Sequence, residues 1–226
     1  MAKVSNIIFV HGAWANSSAW DKVLPIIEPL GFVATAVSLS LTSLQDDAAT
    51  VKRALALIDG PVLLVGHSYG GAVITEAGSD PKVAGLVYIA AFAPDIGESA
   101  ASLGASGPPN RLLEVVRPDE QHFFKLTREG VDEVFAQDLT AAEQALIYAT
   151  QNPLAGAALG AEITVTAWKE KPSWYLLASE DRTIHPELQK TMATRIGATT
   201  VTVEASHVAM LSQPQAVANL IMQAVG

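Results

Sequence analysis

Six short runs of apolar residues recur along the chain, and turn-forming residues bound each of them. The runs cover residues 6–10, 32–39, 61–65, 83–91, 173–178 and 199–203. Each run has the length of a β-strand and is apolar at successive positions, which is typical of strands that are buried on both faces. The pattern therefore predicts an α/β fold with a mostly parallel sheet of about six strands, flanked by helices.

The segments between these runs show the helical spacing that such a sheet requires. Ser43 and Asp46 are spaced as in an N-terminal capping box, and Val51, Leu55 and Ile58 then fall on one helical face. Another predicted helix begins near residue 18, and Pro25 within it indicates an early break. Two more predicted helices cover residues 186–196 and 213–225.

One long stretch, residues 95–166, interrupts the alternation of strand and helix. Its first part is rich in Gly, Ser and Pro, and its second part has helical character with aromatic residues among the charges. A stretch of about 70 residues without a strand is too long for a loop in a compact domain. We therefore predict a single domain over residues 1–226, into which residues 95–166 insert a helical lid over the carboxyl edge of the sheet.

Composition and charge exclude several classes of function. Half of the 226 residues are apolar, the net charge is −9, and there is no cysteine. A thiolate nucleophile and a cysteine-ligated metal are thereby excluded, and the negative charge disfavours nucleic acid and anionic membranes as partners. The apolar run at residues 6–10 is too short for a signal peptide, and no run approaches the roughly 18 residues of a membrane span. We expect a cytoplasmic protein.

The strongest chemical signal is the sequence Gly-His-Ser-Tyr-Gly at residues 66–70. It follows the predicted strand 61–65 and precedes a helix-like segment, which is the context of a nucleophile on a sharp strand-to-helix turn. Small residues on both sides allow the strained turn, and the helix N-terminus favours developing negative charge. A glycine-rich turn that only lets a helix pack closely is the alternative; the context favours Ser68 as a nucleophile.

A serine nucleophile needs a base, and the chain offers five histidines. His11 lies in the loop after the first strand, and His67 lies in the turn that carries Ser68. The local geometry of both segments points these two side chains away from the serine hydroxyl. His122 falls in the predicted lid, and His185 opens a helix. His207 follows the last predicted strand, where a loop returns to the carboxyl edge of the sheet, and is the best candidate base.

The base in turn needs a carboxylate that fixes its tautomer. Glu180 and Asp181 both follow the strand 173–178, spacing does not choose between them, and either could pair with Arg182. The order of nucleophile, acid and base along the chain, Ser68 first and His207 last, is that of the α/β-hydrolases.

The backbone N–H groups of Ala13 and Tyr69 are the candidate oxyanion hole. Ala13 lies in a small-residue loop, His-Gly-Ala-Trp, directly after the first strand, and Tyr69 follows the nucleophile. A phosphate-binding loop at residues 66–71 is excluded, because the lysine of that motif is missing. We expect neither a metal nor another cofactor.

Taken together, these pieces resemble the small α/β-hydrolases that include plant methylesterases, salicylate-binding esterases, hydroxynitrile lyases and their bacterial relatives. The matching segments are residues 9–14, 65–71, 90–95, 179–186 and 206–207. The resemblance implies the α/β-hydrolase fold and places Asp181, not Glu180, in the role of the orienting acid. Lyases of this type have a lysine after the catalytic histidine, and Val208 stands here instead, so the resemblance favours ester hydrolysis.

The expected function is that of a carboxylesterase for small, largely apolar, uncharged esters. Aromatic side chains are expected to line its pocket, namely Trp14, Phe92, Phe123 and Trp168. Two alternatives remain: a cofactor-free lyase or carbon–carbon bond hydrolase that uses the same triad, and a ligand-binding protein with slow hydrolysis. A homodimer is compatible with the sequence, which does not itself determine the oligomeric state.

Overall fold

The computed structural model describes residues 4–226, and a six-stranded parallel sheet forms its centre. The strands are β1 (Asn6–Val10), β2 (Val33–Val37), β3 (Val62–His67), β4 (Val83–Ile89), β5 (Val116–Pro118), β6 (Phe123–Leu126), β7 (Leu154–Ala155), β8 (Ser173–Ala178) and β9 (Thr199–Val203). The α-helices are α1 (Leu24–Ile27), α2 (Leu44–Ala56), α3 (Tyr69–Ala77), α4 (Ala100–Ser106), α5 (Ala141–Thr150), α6 (Gly156–Gly160), α7 (Pro186–Arg195), α8 (Ala209–Ser212) and α9 (Pro214–Ala224). Turns of 3₁₀ helix cover Ser17–Trp20, Glu28–Leu30, Leu112–Glu114 and Ala167–Lys169, and a π-helix covers Gly130–Phe135.

The central sheet has the order β2-β1-β3-β4-β8-β9, and all of its neighbouring strands are parallel. This confirms the predicted sheet, and β1, β8 and β9 have the predicted bounds. The second and fourth apolar runs extend beyond their strands; β4 ends at Ile89 because Ala90 has a φ of 43°, which is outside the strand region. β3 continues two residues further than predicted, since Gly66 still pairs with β1 and β4, and His67 still pairs with β4.

Helix α2 begins at the predicted N-cap but lacks half of the predicted capping box. The Ser43 hydroxyl accepts the Asp46 N–H at 3.1 Å, whereas the Asp46 carboxylate accepts the Ser43 hydroxyl and not its backbone N–H. The segment near residue 18 forms a 3₁₀ turn followed by the short helix α1, with Pro25 in its first turn. None of the helices within residues 4–226 is both long and apolar enough to cross a membrane.

Residues 95–166 are not purely helical, and the expectation that they contain no strand is wrong. Besides α4, α5, α6 and the π-helix, they form a small antiparallel sheet with the order β5-β6-β7. These strands are two to four residues long, and β5 and β6 are partly exposed, so they lack the long apolar runs that reveal the central strands. The insertion hydrogen-bonds to loops that follow β1, β2, β8 and β9, and it therefore covers the carboxyl edge of the central sheet.

Candidate active site

Ser68 lies at a sharp turn between β3 and α3. Its φ of 52° and ψ of −123° are strained for a residue with a side chain, and it is only 4% exposed. A Cβ atom at Gly66 would lie 2.6 Å from the carbonyl oxygen of Gly70, and one at Gly70 would lie 2.5 Å from that of Val10. The turn therefore requires glycine at both positions, and it presents the serine at the N-terminus of α3.

His207 and Asp181 form a buried pair. His207 Nδ1 lies 2.7 Å from Asp181 Oδ2, and both side chains are fully inaccessible to solvent. The other carboxylate oxygen, Oδ1, accepts the backbone N–H groups of Thr183 at 2.7 Å and Ile184 at 3.0 Å. This arrangement holds the proton of the neutral imidazole on Nδ1 and leaves the lone pair on Nε2.

Nε2 of His207 has no hydrogen-bond partner among residues 4–226, so Ser68 and His207 are not hydrogen-bonded in this state. Catalytic hydrogen bonds are often long before substrate binds and tighten in the reacting complex. The arrangement can therefore accept a proton at Nε2 while Asp181 stabilises the resulting imidazolium.

Gln189, on α7, is a part of the site that sequence reasoning missed. Its Nε2 donates to Asp181 Oδ2 at 2.7 Å and to the Ile184 carbonyl at 2.8 Å, and its Oε1 accepts the Ala178 N–H at 3.1 Å. The side chain is fully buried and fixes the second carboxylate oxygen. A glutamine within an ordinary helical pattern carries no signal of this role.

The two candidate oxyanion donors belong to segments that adjoin Ser68. Tyr69 is the first residue of α3, so its N–H has no acceptor within the helix. Ala13 belongs to the loop after β1, and this loop lies directly against Ser68, because a Cβ atom at Gly12 would be 2.7 Å from that of Ser68.

The buried imidazole of His11 holds the loop after β1 in place. Its Nδ1 donates to the Gly12 carbonyl and its Nε2 accepts the Leu39 N–H, both at 2.9 Å. Burial lowers the pKa of His11 to about 4, so the ring is neutral at pH 7 and can serve as both donor and acceptor. Its two nitrogens are thus occupied by the backbone.

His67, directly before Ser68, contacts the segment that carries His207. Its Nε2 donates to the backbone carbonyl of His207 at 2.9 Å, and the two rings pack with centroids 4.7 Å apart. Burial lowers the pKa of His67 well below its ordinary value, with a further contribution from the neighbouring His207. The neutral ring therefore ties the Ser68 turn to the loop that carries His207.

The insertion also contacts the loops that carry Asp181 and His207. The ring of Phe135, at the end of the π-helix, lies 5.1 Å from the His207 ring, measured between centroids. Arg182 donates to the Glu133 carbonyl at 2.9 Å, and the Asp138 carboxylate accepts the Ser206 N–H at 2.8 Å. The segment around the π-helix thus packs directly on the His207–Asp181 pair.

A sequence model described as the alpha/beta hydrolase family matches residues 7–220 of this protein, which is nearly the whole chain. The chain belongs to the alpha/beta hydrolase family. The strand order, the Ser68 turn and the order of the site residues along the chain are those of this family.

Several members of the family are similar along most or part of the chain. A pyrethroid hydrolase of Sphingobium wenxiniae is 28% identical over 254 residues, covering 96% of this chain and 86% of its own. Methylesterase 7 of Arabidopsis thaliana is 35% identical over 111 residues, 42% of each chain. The solved structure of a pyrethroid hydrolase from Sphingobium faniae superposes with a TM-score of 0.84 at 26% identity, over 98% of this chain and 97% of that one. Like these relatives, this alpha/beta hydrolase is an enzyme.

An apolar cleft of about 180 Å³ lies beside the base, between α5 and the segments 14–22 and 208–211. Trp14 and Phe135 line it and pack edge to face, 6.1 Å between ring centroids. Ser68 and His207 do not line the cleft, which Phe135 separates from the imidazole. Of the four aromatic residues predicted to line a pocket, Trp14 is at this cleft, whereas Phe92, Phe123 and Trp168 are not.

No group of three or more acidic or histidine side chains within residues 4–226 has the arrangement of a metal site.

Proposed function

We propose that this alpha/beta hydrolase is a serine carboxylesterase with Ser68 as nucleophile, His207 as base and Asp181 as the orienting acid. The contact of 2.7 Å between His207 Nδ1 and Asp181 Oδ2 is the observation that carries this proposal. Nε2 of the same buried imidazole is unpaired within residues 4–226, and His67, next to Ser68, donates to the backbone carbonyl of His207. A neutral histidine in this tautomer is what a serine nucleophile requires.

The reaction proceeds by acyl transfer in two halves. His207 Nε2 takes the proton of the Ser68 hydroxyl as the serine oxygen attacks the ester carbonyl, and the N–H groups of Ala13 and Tyr69 stabilise the oxyanion. The imidazolium then protonates the leaving alcohol, and the acyl group remains on the serine. Water loses a proton to His207 and attacks this acyl-enzyme, which releases the carboxylic acid and restores the Ser68 hydroxyl.

The substrate class that we propose is a small, largely apolar, uncharged ester. Side chains such as Leu146, Ile147 and Val208 make the cleft apolar, and the ammonium of Lys22 at its rim is already paired with Glu143 at 2.5 Å. The relatives named pyrethroid hydrolase, methylesterase and carbendazim hydrolyzing esterase support this class. Lys22 is the one cationic side chain among the described residues that line the cleft, and it is already paired, so an anionic substrate finds no free cation there to replace its hydration.

We further propose that residues 95–166 act as a lid. Ser68 is 4% exposed and His207 is fully buried, so a substrate reaches them only when part of the insertion moves away. The cytoplasmic location and the homodimer stay predictions.

Hydrolysis of a chain-length series of p-nitrophenyl esters tests the proposal. We expect turnover of the short esters by the wild type and by Ser38→Ala, an exposed serine far along the chain from the turn. Ser68→Ala should lose at least about 10³-fold in kcat, as expected when a triad nucleophile is removed, while keeping the wild-type circular dichroism. Full activity of Ser68→Ala would refute the assignment. A folded wild type that cleaves no ester, although a reactive-serine probe labels Ser68, would instead favour lyase or carbon–carbon bond chemistry.

A further inference from the structure

The small sheet of the insertion is joined to the loop after β1 through the indole of Trp14. Trp14 Nε1 donates to the backbone carbonyl of Phe124, in β6, at 2.9 Å. The side chain is buried, and the residue has a left-handed φ of 57°, which is unfavourable for a residue with a Cβ atom. Because Trp14 directly follows Ala13, this bond fixes the peptide segment that carries the first oxyanion donor.

A second chain of hydrogen bonds joins the same small sheet to the other oxyanion donor. The N–H of Ala155, in β7, donates to the Leu41 carbonyl at 2.9 Å. Leu41 also has a left-handed φ of 57°, and its N–H donates to Asp47 Oδ1 at 3.0 Å. The other oxygen, Asp47 Oδ2, accepts the phenol O–H of Tyr69 at 2.9 Å. This chain ends on the residue whose backbone N–H is the second donor.

Asp47 is a fully buried carboxylate that has no part in the acyl-transfer chemistry. It lies in the first turn of α2 and accepts hydrogen bonds from Tyr69, from the Leu41 N–H and from the Ser40 hydroxyl at 3.2 Å. Burial raises the pKa of Asp47, and these hydrogen bonds oppose that shift. A buried polar network with every member satisfied is rigid, so it holds the Tyr69 ring in one position.

We propose that β6 and β7 set the positions of the two oxyanion donors, with Trp14 and the Asp47–Tyr69 pair as positioning residues. The inference rests on the proposed function, since it assumes that the N–H groups of Ala13 and Tyr69 stabilise an oxyanion. Donors must lie 2.7–3.1 Å from that oxygen to be effective, so a small displacement of either peptide weakens transition-state binding and leaves ground-state binding unchanged. The insertion thereby helps to form the catalytic site as well as cover it.

Two variants separate this role from simple packing. Tyr69→Phe removes the hydroxyl that bonds Asp47 and keeps the ring. Tyr88→Phe is its control, because within residues 4–226 the buried Tyr88 hydroxyl bonds only Thr75. Ala155→Pro removes the N–H that bonds Leu41, and proline suits this position because Ala155 has a φ of −65°.

Trp14→Phe removes the indole N–H that bonds β6. Its control is Trp20→Phe, because Trp20 is equally buried and its indole N–H has no partner within residues 4–226. Trp14 also lines the cleft, so Trp14→Phe can change KM through substrate contacts alone. Tyr69 does not line the cleft, and if the KM of Trp14→Phe changes, the result for Tyr69→Phe decides whether the inference holds.

The readouts are kcat, KM and the inhibition constants of a trifluoromethyl ketone, which forms an oxyanion on Ser68, and of the matching alcohol, which does not. Loss of one donor costs about 10²–10³-fold in kcat, and a displaced donor keeps part of its interaction. We therefore expect about a tenfold fall in kcat for Tyr69→Phe and Ala155→Pro, a parallel weakening of the ketone, and unchanged KM and alcohol binding.

Wild-type kcat and an unchanged ratio of ketone to alcohol affinity in both Tyr69→Phe and Ala155→Pro would overturn the inference, even if these variants melt at a lower temperature. The proposed function would then remain intact. A wild type without Ser68-dependent turnover would contradict the proposed function itself.

Discussion

Replacement of Asp181 by asparagine exchanges one oxygen for an NH₂ group in a place that cannot adapt to it. Oδ1 accepts two backbone N–H groups, from Thr183 and Ile184, so the amide oxygen of the variant is expected to remain there. The new NH₂ group then takes the place of Oδ2, where Gln189 Nε2 and His207 Nδ1 each lie at 2.7 Å. Three donors would meet in a buried site without an acceptor.

His207 can relieve this conflict only by moving its proton from Nδ1 to Nε2, which makes Nδ1 an acceptor. The imidazole can then no longer take the proton of Ser68. In serine proteases this change of tautomer lowers kcat by about 10⁴-fold. We expect a fall of about 10³–10⁴-fold for Asp181→Asn, which corresponds to about 4–5.5 kcal/mol of activation free energy. KM should change little, because the carboxylate lies behind the imidazole.

The assay is steady-state hydrolysis of p-nitrophenyl acetate, with folding checked by circular dichroism. Glu180→Gln is the matched control: the neighbouring carboxylate is exposed, and it should keep wild-type kcat. If Asp181→Asn kept more than about a tenth of the wild-type kcat, which is far from the loss expected of a triad acid, the tautomer argument would fail. An equal loss in Glu180→Gln would show that the loop and not the contact with His207 matters.

Two further predictions concern stability. Burial lowers the pKa of His11 from 6.5 to about 4, so between these pH values the unfolded chain binds a proton that the folded protein does not, and acidification from pH 6.5 to pH 4 should cost about 3 kcal/mol. Urea unfolding should show that the free energy of unfolding falls less over this pH range in His11→Gln than in the wild type, whereas the exposed His122→Asn should behave like the wild type. Equal falls in His11→Gln and the wild type would contradict the lowered pKa of His11. Gly70→Ala, with a Cβ atom 2.5 Å from the Val10 carbonyl, should unfold at least about 3 kcal/mol more easily, whereas Gly160→Ala, in open space, should not; comparable unfolding midpoints would contradict the steric argument.

Much of the central architecture follows from local sequence. The bounds of β1, β8 and β9 were predicted because their apolar runs end at turn residues, a signal that needs no knowledge of distant partners. The Ser68 turn was recognisable for the same reason, since its glycines avoid clashes with neighbours close in sequence or in the adjacent strand. The fold and the short list of candidate residues could therefore be deduced before any coordinate was known.

Other parts of the site depend on contacts that no local pattern encodes. Spacing left Glu180 and Asp181 equivalent; in the folded protein Asp181 contacts His207 while Glu180 is exposed. The strands β5, β6 and β7 are too short to be recognised alone and exist because they pair with one another and pack on loops of the central sheet.

The sequence by itself thus determined the sheet, the candidate nucleophile and the order of the triad candidates, because buried strands and a strained turn restrict which residues can stand at each position. The family resemblance implied Asp181 rather than Glu180, and the tertiary structure shows that Asp181 contacts His207. Only the tertiary structure revealed that Gln189 supports Asp181 and that Asp47 connects the insertion to Tyr69. A buried polar side chain has no distinctive spacing, and its role is defined by the partners that folding brings to it from elsewhere in the chain.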